Sequence, residues 1–163
     1  MKPLVSLVSG TFNEEDNVHA FYDRMSGVMA SLSSDYDFEM IVIDNASEDR
    51  TVDILKQLAA TDRRLKLIVN NRNFGHIRSP YHGVLQAKGD AVIYLASDLQ
   101  DPPEMIPDFI NAWRSGHEVV LAQKQQSEES PLFFLLRKLY YRVVNGLSSV
   151  RLHENVTGFG LYD

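Results

Sequence analysis

Phe38-Glu39-Met40-Ile41-Val42-Ile43-Asp44-Asn45-Ala46-Ser47 decides the fold. Residues 38–43 are nearly all apolar, the pattern of a strand covered on both faces. Such strands belong to parallel sheets with helices on either side. The run then stops at an acid, Asp44, and turn-forming residues follow.

The same alternation extends outward in both directions. Residues 4–8 read as the first strand. Residues 15–32 carry Val18, Phe21, Tyr22, Met25, Val28, Met29 and Leu32 at helical spacing. Residues 51–60 form a helix with Val52, Leu55 and Leu58 on one side, and Leu65–Val69 a third strand. Residues 77–87 are helical, which places Pro80 in the first turn. Residues 91–95 give a fourth strand, residues 103–113 a helix opened by Pro102-Pro103, and residues 119–122 a fifth strand. Strand–helix units of about 25–30 residues imply right-handed crossovers. The expected fold is α/β, a Rossmann-like, mainly parallel sheet with helices on both faces, in a single domain over residues 1–163. Residues 123–130 are polar and read as a mobile loop.

Composition narrows the function. The 163 residues are 44% hydrophobic and 23% charged, an ordinary globular balance. A net charge of -6 argues against nucleic-acid binding, which needs a basic face. The absence of cysteine excludes a disulfide scaffold, a thiolate nucleophile and a Cys-ligated zinc site. His19, His76, His82, His117 and His153 form no HxxxH or HExxH pattern. No apolar run reaches the roughly 18 residues of a spanning helix.

Ligands of parallel α/β sheets bind beyond the carboxyl ends of the strands. There the chain places residues 9–15 (with Thr11, Asn13 and Glu14), residues 44–49 (with Asp44 and Ser47), residues 70–75 (with Asn73 and Gly75) and residues 97–101 (with Ser97, Asp98 and Asp101). Each cluster alone also fits turns and caps: Ser47 or Asp49 could simply cap the next helix. Together they bring Asp44 and Asp98 to neighbouring strand ends, where two acids repel unless a positive group lies between them. The chain lacks both Gly-x-Gly-x-x-Gly and a Walker loop. A nucleoside diphosphate would then be held through a hard divalent cation, Mg²⁺ or Mn²⁺, bridging carboxylate and phosphate oxygens. Arg72 and Arg78 lie on the same edge, suited either to phosphate or to solvent.

Residues 11–17 (TFNEEDN), 41–51 (IVIDNASEDRT), 71–76 (NRNFGH) and 98–104 (DLQDPPE) resemble family 2 glycosyltransferases, in the polyprenyl-phosphate (dolichol-phosphate mannosyltransferase-like) branch. The resemblance runs from about residue 4 to the end. It implies a GT-A fold, a nucleotide-sugar donor with UDP favoured over GDP, and inverting transfer to a lipid phosphate. By that likeness Thr11, Asn13, Glu14, Asp44, Ser47, Asn73, Gly75, Ser97 and Asp98 line the nucleotide site. Asp98, helped by Asp101, is the metal-binding acid. The sequence departs from the family at Ala96, often an acid there, and at Gly158, the candidate base position. A phosphate acceptor with a second pKa of about 6 is already an anionic nucleophile, so little base is needed. Asp163 is the remaining candidate for a catalytic base, with a surface role as the alternative. A glycan acceptor, or a nucleotide-sugar-binding module without catalysis, are the competing readings.

Members of this branch continue with membrane-spanning helices. The resemblance therefore implies a truncated chain, itself soluble, from a protein at the cytoplasmic face of a membrane; homo-oligomers are allowed. Residues 132–147 set a wide apolar face among Arg137, Lys138 and Arg142, with no acid. They read either as a core helix or as an interfacial helix that guides a lipid phosphate.

Overall fold

A computed structural model describes residues 1–123 and 156–163. The strands are β1 (Leu4–Thr11), β2 (Asp37–Asp44), β3 (Leu65–Val69), β4 (Ala91–Tyr94), β5 (Val119–Gln123) and β6 (Val156–Tyr162). The helices are α1 (Val18–Leu32), α2 (Thr51–Thr61), α3 (Gly75–Leu85) and α4 (Ile106–Arg114). A 3₁₀ turn at Pro103–Met105 precedes α4, so the helix expected over 103–113 is split.

The six strands form one sheet in the order β3-β2-β1-β4-β6-β5. β1 pairs in parallel with β2 and β4, and β2 with β3. The expected mainly parallel sheet is what forms. Helices cover both faces because both faces of the central strands are apolar. Val5 and Leu7 on β1, with Met40 and Val42 on β2, pack under Val18, Phe21, Met25 and Met29 of α1. On the opposite face Val8 and Ile43 meet α3 at Gly83, where an added Cβ would lie 3.1 Å from each.

Two expectations change. α3 starts at Gly75, so Pro80 lies inside the helix rather than in its first turn. Its ring packs on β1: a Cβ at Gly10 would come within 2.8 Å of Pro80 Cγ. The cost of the missing N–H is offset by that close approach. The second change is β6, which inserts antiparallel between β4 and β5. The sequence pattern ends its strands at residue 122 and places none over Val156–Tyr162. Two glycines, Gly158 and Gly160, weaken the strand signal of β6. Gly160 sits in a tight place, since a Cβ there would lie 3.1 Å from Val120 O and 2.7 Å from Leu121 Cδ2.

Residues 124–130 of the expected loop and the 132–147 segment, with Arg137, Lys138 and Arg142, lie outside the described residues. Among the described residues no helix is long and apolar enough to cross a membrane.

Candidate functional site

The carboxyl edge of the sheet is organised around the end of β1. Thr11 stands in register with Asp44 of β2, and Val8 with Tyr94 of β4. Beyond β4 the chain stays beside β1: Leu95 N donates to Val8 O (3.1 Å) and Ser97 Oγ to Gly10 O (3.1 Å). Asp44 and Asp98 thus leave strands on either side of β1. Two strand spacings separate those strands, about 10 Å.

Side chains tie the strand-end loops together. Asp44 is fully buried and accepts from Ser47 N (2.9 Å) and Ser47 Oγ (2.5 Å). Ser47 Oγ accepts from Asn13 N (2.9 Å), and Asn13 Oδ1 accepts from Glu48 N (2.9 Å). Glu14 N donates to Thr51 Oγ1, and the Glu14 carboxylate accepts from Asn17 Nδ2. Asp49 accepts from Glu15 N (3.1 Å) and Thr51 N (2.9 Å). Burial pushes the Asp49 carboxyl up, but hydrogen bonds from Thr51 and Glu15 outweigh it and hold the pKa below the usual carboxylate value. Ser47 therefore joins two loops rather than capping α2, and Asp49 serves the helix start.

Asn45 is a residue that sequence reasoning left out of the site. It is buried, donates from Nδ2 to Asn73 Oδ1 (2.9 Å), and accepts at Oδ1 from Phe74 N (2.8 Å). Asn73 Oδ1 also accepts from Gly75 N (2.8 Å). The amide of Asn73 thus fixes the turn into α3, and Gly75 supplies the left-handed conformation there, with φ +86°. The signal for Asn45 was its position directly after a buried strand, where an amide must satisfy loop backbone.

This edge carries unrelieved cost. Asn13, Ala46 and Leu99 have positive φ of 55°, 65° and 60°, one in each of the loops after β1, β2 and β4. The buried hydroxyls of Ser9 and Thr11 have no hydrogen-bond partner among the described residues. Such features cluster at functional sites.

Asp98 is half-buried and accepts from Gln100 N (3.1 Å). Burial pushes the Tyr94 phenol up, and the negative charges of Asp98 and Asp101 push it further. Among the described residues no three His, Asp or Glu side chains are grouped tightly enough to hold a metal unaided. Two oxygen-bearing acids still suit Mg²⁺ or Mn²⁺, which keep water and phosphate oxygens as their other ligands.

Asp163 is a correction. β6 runs antiparallel, so its residues advance toward the amino edge: Gly160 pairs with Tyr94 but Tyr162 with Val92. Asp163 N donates to Glu118 O, just before β5. It stands more than about 10 Å along the strands from the level of Asp98. Gly158, by contrast, lies at the carboxyl edge, 3.5 Å from Tyr94 Cε1 when a Cβ is added.

The profile of glycosyl transferase family 2 matches residues 6–160. A bactoprenol glucosyl transferase of Shigella phage SfV is 34% identical over 158 residues, 96% of this chain and 51% of that protein. The chain spans about half the length of the curated relatives it matches. Glucosyl-3-phosphoglycerate synthase from Mycobacterium tuberculosis, solved with Mn²⁺, UDP and glucosyl-3-phosphoglycerate, superposes with a TM-score of 0.67 at 18% identity, covering 99% of this chain and 57% of that one. A mannosyltransferase from Pyrobaculum calidifontis, solved with GDP-Man and Mn²⁺, gives 0.64 at 17% identity, covering 99% and 45%. These likenesses establish the GT-A type of the fold.

Proposed function

Because the chain belongs to glycosyl transferase family 2, we propose that it is the donor-binding half of an enzyme that moves a sugar from a nucleoside-diphosphate sugar to a polyprenyl phosphate. One observation carries the reading: Asp44, at the end of β2, and Asp98, in the loop after β4, flank the end of β1 at the sheet's ligand-binding edge.

In this reading Asp44, oriented by Ser47, accepts hydrogen bonds from the base or ribose of the donor, UDP in preference to GDP. Thr11, Asn13, Glu14 and Ser97 line the same cleft, and Asn45 and Asn73 hold the loop before α3 in place. Asp98 with Asp101 would hold Mg²⁺ or Mn²⁺, which when bound neutralises the diphosphate leaving group. The Mn²⁺ of the two superposed enzymes supports a divalent ion. An oxygen of the acceptor phosphate attacks the anomeric carbon opposite the diphosphate. The new C–O bond forms as the bond to the diphosphate oxygen breaks, the electron pair leaves with the nucleoside diphosphate, and the configuration inverts. Gly158 favours this acceptor over a sugar hydroxyl. It offers no carboxylate as base, and a phosphate ionised above a pKa of about 6 needs none. The bactoprenol relative supports a polyprenyl lipid, and thus action at a membrane face.

Titration calorimetry with UDP and GDP, with and without Mn²⁺, tests the reading. Metal-dependent binding of UDP is expected. Assaying release of nucleoside diphosphate with and without polyprenyl phosphate tests the acceptor. No binding of either nucleotide with metal present overturns the proposal.

A further inference from the structure

α3 is built inside out. Its sheet-facing residues are small: Ser79, Pro80 and Gly83 are the buried ones. Its large apolar residues face away, with Ile77 71%, Tyr81 63% and Leu85 62% exposed. They recur every four residues and so form one stripe along the helix. Packing the helix on Gly10, Val8 and Ile43 requires the small side, but nothing in that contact requires large apolar residues outside. A stripe of this kind is a surface for something to cover.

Charge indicates what covers it. The chain as a whole is acidic, at -6, yet from Asp62 to Asp90 it has no intervening acid. That stretch carries Arg63, Arg64, Lys66, Arg72, Arg78 and Lys88. Arg64 and Lys66 are paired with Asp62 and Glu39, whereas Arg72, Arg78 and Lys88 are exposed beside or on α3. His76 and His82 add polar nitrogen on the helix itself. An apolar stripe with an aromatic, on a segment (residues 63–89) that carries cations and no acid, is the composition of a helix lying in an anionic lipid interface. Beneath the stripe a groove of about 650 Å³ is lined by Ile77, Pro80, Tyr81 and Val84, and by Tyr94, Gly158 and Tyr162 from the β4–β6 ribbon. Tyr94, the last residue of β4, is part of that lining, and the chain runs on from it into the loop that carries Asp98.

We propose that the outer face of α3 docks on an anionic bilayer, so that the groove opens from the lipid surface toward the transfer site. This rests on the function proposed above for the orientation of the site, but lipid binding by α3 is measured separately from nucleotide binding. The probe is vesicles of phosphatidylcholine with and without phosphatidylglycerol, co-sedimented with the full 163-residue chain. Ile77→Asp and Leu85→Asp are expected to lower partitioning at least about tenfold, because each removes an exposed aliphatic side chain that the bilayer would bury and adds a charge. Arg78→Gln is expected to lower it about fivefold, on anionic vesicles alone. Tyr81→Ser provides an uncharged check, and thermal melts identify any variant that fails to fold. Vesicle binding unchanged in the α3 variants but abolished by replacing Arg137, Lys138 and Arg142 with Gln overturns the proposal. So does self-association in sedimentation velocity that Ile77→Asp abolishes while vesicle binding is absent. Calorimetry with UDP and Mn²⁺ on Ile77→Asp separates the two readings: nucleotide bound and vesicles lost supports both. Vesicle binding by parent protein that takes no nucleotide leaves α3 docking intact and removes the donor reading.

Discussion

Ser6 and Ser9 stand on the same strand, both buried, at 0% and 1% exposure. Ser6, toward the amino edge, has its hydroxyl fully used: it donates to Glu39 Oε1 (2.5 Å) and accepts from Gly89 N (2.8 Å). Glu39 Oε1 also accepts from Lys88 N (2.7 Å), and Oε2 pairs with Lys66. Nearby, Asp62 is held by Arg64 and Tyr22. Ser9, toward the carboxyl edge, has a hydroxyl with no partner among the described residues, as has Thr11. The loops there hold Asn13, Ala46 and Leu99 in left-handed backbone. Polar groups at the amino edge satisfy one another and hold the sheet together. Those at the carboxyl edge keep a cost that folding alone does not explain.

The strongest test of that division is Glu39→Ala. It leaves Lys88 N and the Ser6 hydroxyl without their acceptor and strands Lys66, itself half exposed. Unfolding in urea should show a loss of about 2–4 kcal/mol. UDP affinity of the folded protein should not change; an equal loss of both would merge the two edges into one unit.

Asp98→Ala should do the reverse. Metal-dependent UDP binding should weaken on the order of a hundredfold, about 2.8 kcal/mol, while the urea midpoint stays where it was. A half-buried loop acid with one backbone hydrogen bond contributes little to folding. If nucleotide binding survives with its metal dependence intact, Asp98 is not the metal-holding acid.

The acid side of the stability profile should report the amino edge. Hydrogen bonding from Arg64, against the opposing effect of burial, holds the Asp62 carboxyl at about 2 from an ordinary 3.8. A depressed carboxylate gives its stability above the unfolded value and loses it as pH falls through the folded one. Glu39 is lowered as well, in the same direction: burial raises it, and the bonds from Lys66, Ser6 and Lys88 outweigh that. Stability should therefore decline from about pH 4 down to pH 2, and Asp62→Asn should flatten that decline in a series of thermal melts.

The sequence shows these two edges unequally. Hydrophobic runs and their spacing located five strands and the helices, because burial on both faces leaves a continuous apolar signature. They missed β6, where Gly158 and Gly160 weaken the strand signal and Gly160 lies in a tight contact with β5. The acids at the strand ends were legible because turn positions right after buried strands are few. Asn45 was less so, since an asparagine after a strand looks the same whether it serves its own turn or, as here, the loop that leads into α3. Asp163 misled because its distance from Asp98 depends on the direction of β6, a tertiary fact with no local trace.

The smallest expected effect is the sharpest, because it compares like with like. Ser6→Ala and Ser9→Ala make the same chemical change at two buried sites of one strand. The first removes a donor to Glu39 and an acceptor for Gly89 N, and should cost about 1–3 kcal/mol, since buried partners are left unsatisfied. The second removes a hydroxyl that no described residue satisfies. It should be neutral, or stabilising by up to about 1 kcal/mol, because an unpaired buried polar atom is replaced by hydrogen. Paired urea titrations read the sign directly. If Ser9→Ala destabilises as much as Ser6→Ala, the Ser9 hydroxyl is satisfied in the folded protein, and the contrast between the edges rests on the left-handed residues alone.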